Sequence, residues 1–168
     1  MAAANTERGE GEAFWRFSLS FYARPGVAPA LIALQDRAGR DVNLILYALW
    51  LGIARGCALD AAGLIAAEAA AAPLRDAVVA ELRALRRRLR PDPDPDIQAL
   101  RRRIQALEIA AERSVQYRLA GALPPCGEPA GDRAAVAAAN VAAYLGREAA
   151  SAEADTLREA VSAFIRRS

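Results

Sequence analysis

Pro91-Asp92-Pro93-Asp94-Pro95-Asp96 is the stretch that most restricts how this chain can fold. Each proline lacks a backbone donor and pushes the residue before it out of the helical region, so no helix runs through it. Both flanks have helical periodicity. Upstream, Val78, Leu82, Leu85 and Leu89 form one apolar stripe; downstream, Ile97, Leu100, Ile104, Leu107, Ala111 and Val115 form another. Two amphipathic helices joined by a short stiff turn fold back on each other. The pattern therefore predicts an antiparallel helical hairpin over about 74–120, with Leu82 and Leu85 facing Ile104 and Leu107, and Asp96 capping the second helix.

Proline, glycine and capping residues divide the remainder. Helices are expected over about 12–23, 27–37, 41–55 and 60–73, with a break near Pro73. The hairpin helices follow over about 74–89 and 97–120, then two more over about 132–149 and 151–166. Gly39 is placed to end the second helix in a left-handed turn and Asp41 to cap the third. Residues 1–11 are small, polar and without periodicity, and read as a disordered tail. No segment alternates with the period of a strand. The expectation is an all-α helical bundle of about eight helices, folded as a single domain over 12–168.

Composition removes most known chemistry. The 22 basic residues are all arginine, and histidine is absent. Without histidine there is no serine or cysteine triad and no ordinary zinc site. Without lysine there is no Schiff base and no phosphate-loop lysine. No cofactor or metal site is expected. Cys57 and Cys126 match no metal or redox spacing, and two lone thiols suit a reducing compartment, hence the cytoplasm. The longest apolar run, Leu44–Ala54, is too short for a membrane span and reads as a buried core helix. The opening residues lack the apolar run of a signal peptide.

Four constellations remain. In Phe14–Tyr22 the aromatic and aliphatic side chains cover a wide arc of one helix, with Trp15 and Tyr22 on it and Ser18 at its middle. This is either the main aromatic core or an interaction surface. Around Gly39, the residues Gln35, Asp36, Asp41 and Asn43 lie beside a strongly apolar helix. Helix-end chemistry accounts for Asp41 better than for Gln35 and Asn43, which need internal partners. Together with Trp15, Ser18, Tyr22 and Trp50 they form the candidate pocket. Glu108 and Glu112 share one helix face, a spacing that ligates metal in some bundles; here it points to ion pairs with arginines of the neighbouring helix. The hairpin end carries a candidate basic surface of Arg86, Arg87, Arg88, Arg90, Arg101, Arg102 and Arg103. Acids from Glu81 to Asp96 offset much of that charge, and no aromatic is interleaved for base stacking.

The stretches FWRFSLSFYARPGV at Phe14–Val27 and LQDRAGRDVNLILYALWLG at Leu34–Gly52 resemble a bacterial family known as a domain of unknown function. VVAELRALRRRL at Val78–Leu89 and LRRRIQALEIAAERSVQYRL at Leu100–Leu119 follow it more loosely. The chain departs from that family's pattern at Glu81, where the family has proline, and lacks its tryptophan shortly before Val78. The resemblance implies no activity, cofactor or catalytic residue. From the residues themselves, the leading expectation is a non-catalytic protein-interaction or adaptor domain with an unknown protein partner or a second copy of this chain. The alternatives are a small-molecule binder or enzyme at the Gln35–Asn43 pocket, and RNA contact through the hairpin arginines, which the charge balance does not favour.

Overall fold

A computed structural model describes residues 2–124, 126 and 131–166, with side chains from residue 8 onward. The described residues are helical and contain no strand, and they form the expected all-α bundle. Helices α1 (Ala2–Tyr22), α2 (Val27–Ala38) and α3 (Val42–Trp50) come first, and α3 runs on through a π turn, Leu51–Arg55. Helix α4 (Ala61–Leu74) continues through a second π turn, Arg75–Val79, into α5 (Ala80–Arg88). Helix α6 (Pro95–Gly121) returns along that rod. Helices α7 (Arg133–Leu145) and α8 (Ala152–Ile165), joined by the 3-10 turn Gly146–Ala150, complete the bundle.

Helix α3 is the centre. Every residue from Asn43 to Ile53 is buried, as a helix apolar on all sides must be. Phe14 of α1 stacks on Trp50 at 5.0 Å and meets Tyr47 edge-on at 5.8 Å. Tyr47 donates its hydroxyl proton to the Ala122 carbonyl, and burial pushes its pKa up to about 12. On the opposite side α7 crosses so closely that a Cβ at Gly52 would lie 2.3 Å from the Ala137 Cα. Beside that crossing, the buried Asn140 amide donates to the carbonyls of Ala48 and Cys57 and accepts from the Leu59 N–H. One side chain thus satisfies the backbone where α3 ends and the chain turns.

Local signals work as expected at several joints. Gly39 adopts φ 64° and closes α2, and Asp41 accepts from the Asn43 N–H at 2.7 Å to cap α3. The hairpin is antiparallel, because Arg86 and Arg83 of α5 meet Glu108 and Glu112 of α6 in reversed order.

Five expectations need correction. The segment 1–11 is not wholly a tail: α1 begins at Ala2, Glu10 pairs with Arg55 at 2.5 Å, and Gly11 is buried against the Tyr117 ring. Pro73 does not break the chain. Helix α4 runs through it to Leu74 and continues by the π turn Arg75–Val79 into α5. Asp94, not Asp96, caps α6, with Pro95 in the first turn where its missing donor costs nothing. The inward stripe of α6 is rotated: Ile104, Glu108 and Val115 are buried, whereas Leu100 and Leu107 are exposed, so Leu107 does not face Leu82 or Leu85. Finally, Cys57 and Cys126 are joined in a disulfide, which removes the two lone thiols as an argument for a reducing compartment.

No single helix among the described residues is long and apolar enough to cross a membrane. The pair Arg8–Tyr22 and Val27–Ala38 passes by composition together, but it bends by 102° and its apolar face forms the core.

Two outcomes test this fold. Gly52→Ala should cost about 3 kcal/mol in denaturant unfolding, since backbone rather than a movable side chain blocks the new methyl. Protein unfolded without reductant should show no thiol reactive toward a chromogenic reagent, and two after reduction.

Candidate functional site

Two adjoining hollows open beside the junction of α2, α3 and the π-turned rod. They share Gln35, Asn43 and Arg83 in their walls. The outer groove, of about 760 Å³, is bounded by Asp36, Arg40, Asp41, Glu68, Arg75, Asp76, Arg87 and Tyr144 among others. Its charges neutralise one another. The π turn presents Arg75 to Glu68 (2.7 Å), Asp76 (2.7 Å) and Asp41 (3.4 Å), and these partners hold its guanidinium firmly charged. Arg87 pairs with Asp36 at 2.6 Å, and with Gln35 it holds that carboxyl below the usual range.

Arg40 reaches Glu148 at 2.6 Å and the Leu145 carbonyl at 2.8 Å. Glu148, gripped by Arg147 and Arg40, is held down at about 2. Tyr144 accepts the Asp41 N–H at 2.9 Å, and burial pushes its own hydroxyl up to about 12. Burial also pushes Asp41 upward, against its bonds to the Asn43 N–H and Arg75. The groove is a largely paired polar surface; among the described residues its buried exception is the Nε of Arg40.

The inner cavity, of about 450 Å³, is different. Helix α1 supplies Trp15, Ser18, Leu19 and Tyr22. Helices α2 and α3 supply Ile32, Gln35, Val42, Asn43 and Leu46. The hairpin supplies Arg83 and Arg86 from α5 and Gln105, Glu108, Ile109, Glu112 and Gln116 from α6. Three helical hydroxyls elsewhere bond back to the carbonyl four residues earlier: Ser114, Thr156 and Ser162. Ser18 does not. Its Oγ is buried in the cavity wall without a hydrogen-bond partner among the described residues, and so is the Oε1 of Gln116. Gln116 donates its Nε2 to the Asn43 Oδ1 at 2.9 Å, which fixes the amide and turns its carbonyl oxygen away from that partner.

The acids of α6 meet the arginines of α5, as their spacing suggested. Glu108, only 5% exposed, receives Arg83 at 3.0 Å and Arg86 at 2.5 Å. Although burial opposes it, this double pairing holds its pKa below the ordinary value. Among the described residues Glu112 receives only Arg83, at 2.7 Å through Oε1. Burial, reinforced by Glu108, leaves its pKa raised despite Arg83. Burial likewise raises Tyr22, with the Glu112 charge as the next cause.

The candidate pocket residues therefore divide. Trp15, Ser18 and Tyr22 line the inner cavity, Asp36 and Asp41 the outer groove, and Gln35 and Asn43 both. Trp50 lines neither, because its ring is locked between Phe14 and Tyr47 in the core. Of the candidate basic surface, Arg86 turns inward to Glu108 and Arg87 is paired with Asp36. Arg101 is half-buried beside Gln98, whereas Arg88, Arg90, Arg102 and Arg103 are exposed. Among the described residues no group of three or more His, Cys, Asp or Glu could hold a metal ion. Sequence reasoning missed Gln116 and Arg83. The available signal was Glu108, Glu112 and Gln116 recurring every fourth residue along α6, a polar row beside the buried Val115 and Leu119.

Residues 13–119 match the model of a family described as a protein of unknown function, DUF2390, and the chain belongs to it. That stretch contains every residue lining the inner cavity. No curated protein and no solved structure matches the chain.

The unpaired groups should cost the free protein stability. Ser18→Ala removes a desolvated hydroxyl and should stabilise by about 1 kcal/mol. Glu112→Gln should also stabilise at neutral pH. A carboxyl whose folded pKa is raised loses stability as pH rises from its ordinary 4.5 through the folded value, so the variant's advantage should vanish below pH 4.5. Thermal unfolding across pH checks both; a destabilised Ser18→Ala would contradict the orphan hydroxyl.

Proposed function

We propose that this member of the family is a non-catalytic binding protein for a small organic molecule, held in the cavity between α1, α3 and α6. The observation that carries the reading is the pair of buried, unpartnered atoms in one wall system, Ser18 Oγ and Gln116 Oε1. Buried polar atoms almost always find partners, and two orphans lining one hollow suit a molecule that supplies them. The volume falls within the roughly 300–1,000 Å³ of small-molecule sites. Binding rather than turnover is supported because the Ser18 hydroxyl touches no base and Glu108 is held by two arginines.

The adaptor reading rests on a different surface. Leu100 and Leu107, two turns apart on α6, are exposed at 46% and 58% and would seat a protein partner without using the cavity. The Cys57–Cys126 bond favours an oxidising compartment over the cytoplasm for this role, because disulfides are rare in reducing compartments.

Trp15 lines the cavity while Trp50 is buried in the core, so a Trp50→Phe variant reports on the site alone. A host extract passed through a filter that excludes proteins should shift its emission and raise its Tm, and native mass spectrometry should show the adduct. If the filtered extract changes neither and the protein-sized fraction binds instead, the adaptor reading replaces this one.

A further inference from the structure

We propose that the ligand of the inner cavity is a protonated organic amine carried on an apolar body. The inference rests on the cavity reading above and names its chemistry. Of the buried atoms that the cavity leaves unmet, the Gln116 oxygen can only accept, and the Ser18 hydroxyl can accept as well as donate. Gln116 presents a carbonyl oxygen whose orientation is fixed by the bond from its Nε2 to Asn43. Ser18 presents a hydroxyl from the facing helix. Glu112 hydrogen-bonds, among the described residues, only through Oε1 to Arg83, so Oε2 is the third acceptor.

Glu112 and Gln116 stand four residues apart and so lie on one face of α6, with Ser18 opposite on α1. An ammonium offers three donors to such a set, and the rings of Trp15 and Tyr22 in the same wall favour a cation further.

The alternatives fit less well. An anion would enter beside the Glu108 and Glu112 carboxylates, and the charges of the lining cations Arg83 and Arg86 are already spent on those two acids. Three of the four hydrogen bonds from these arginines converge on Glu108, so Glu112 is the under-compensated charge. A neutral donor would satisfy the orphans yet leave that carboxylate as it is. Burial raises the Glu112 pKa in the free protein, and a bound cation would reverse that cost. Leu19, Ile32, Val42, Leu46 and Ile109 form the apolar part of the wall, with Gln35 and Gln105 beside them, and call for an alkyl or aryl body rather than a polyamine.

The test titrates matched probes against the Trp50→Phe protein, following Trp15 emission: 2-phenylethylamine and hexylamine, the corresponding alcohols, and 3-phenylpropionate. Both amines should bind, and the alcohols should bind at least about tenfold more weakly, since a hydrogen bond to a charged group is worth roughly 1.5–3 kcal/mol. The carboxylate should not bind. Glu112→Gln, which folds without the buried charge, should weaken the amines by about tenfold or more and leave the alcohols unchanged. Alcohol or carboxylate binding as tight as the amines, or amine affinity unaffected by Glu112→Gln, overturns the amine assignment while the cavity reading stands. Silence from both amines up to millimolar concentration also overturns it, and the filtered-extract experiment then judges the cavity reading separately.

Discussion

The complete burial of α3 is the constraint from which the remaining structure follows. A helix apolar on every side must be covered on every side. The covering is done by the Phe14 ring on Trp50, by α2, by α6 and by α7 at Gly52. Such a helix can be polar only at its ends. At one end Asn140 meets the loosened backbone of Ala48, Cys57 and Leu59. At the other Asp41 caps the helix, and Asn43 reaches sideways to Gln116. That sideways reach sets the cavity. By engaging the amide nitrogen of Gln116, Asn43 leaves the opposite oxygen without a partner.

What the sequence disclosed follows from how local each signal is. Gly39 and Asp41 act within a turn of their own position, and both were legible. The pairing of Glu108 and Glu112 with α5 needed only the hairpin and the charge pattern. Pro73 was misleading because a helix can continue past a proline at the cost of one donor, and nothing in the neighbouring alanines distinguishes continuation from a break. Leu107 was misleading for another reason. Periodicity gives the width of an apolar face but not its absolute rotation. On α6 the doubly paired Glu108 takes the inward position, and Leu107 turns outward with Leu100. The anchoring of Glu10 on Arg55 and the joining of Cys57 to Cys126 each depend on residues far apart in sequence, and no local pattern announces them.

Polarity is distributed unequally between the two hollows, and the difference is physical rather than one of size. The outer groove is larger, but apart from the Arg40 Nε its carboxylates and guanidinium groups have largely met, so a ligand entering it must displace ion pairs. The inner cavity is smaller and more apolar, and its unmet groups have no protein alternative. A ligand gains most where the protein has left desolvated atoms without partners, because the desolvation cost is already met in the free state. The Pro73 π turn ties the two together. Arg75, at the start of that turn, lines the groove and pairs with Glu68, while Arg83, two turns on, reaches Glu112 of α6.

Arginine is the only long basic residue in the chain, so its identity alone says nothing about selection, but its geometry separates two uses. Arg102 and Arg103 stand exposed on α6. Arg83 uses Nε toward Glu108 and its terminal nitrogen toward Glu112, spanning two carboxylates one helical turn apart. Arg86 grips both oxygens of Glu108 with a fork. A lysine has a single charged nitrogen and could not hold two acids in a fixed relation while leaving one oxygen of the second free. The bridging fork is therefore what divides Glu112 into an engaged oxygen and an open one, and it sets the acceptor that the cavity presents.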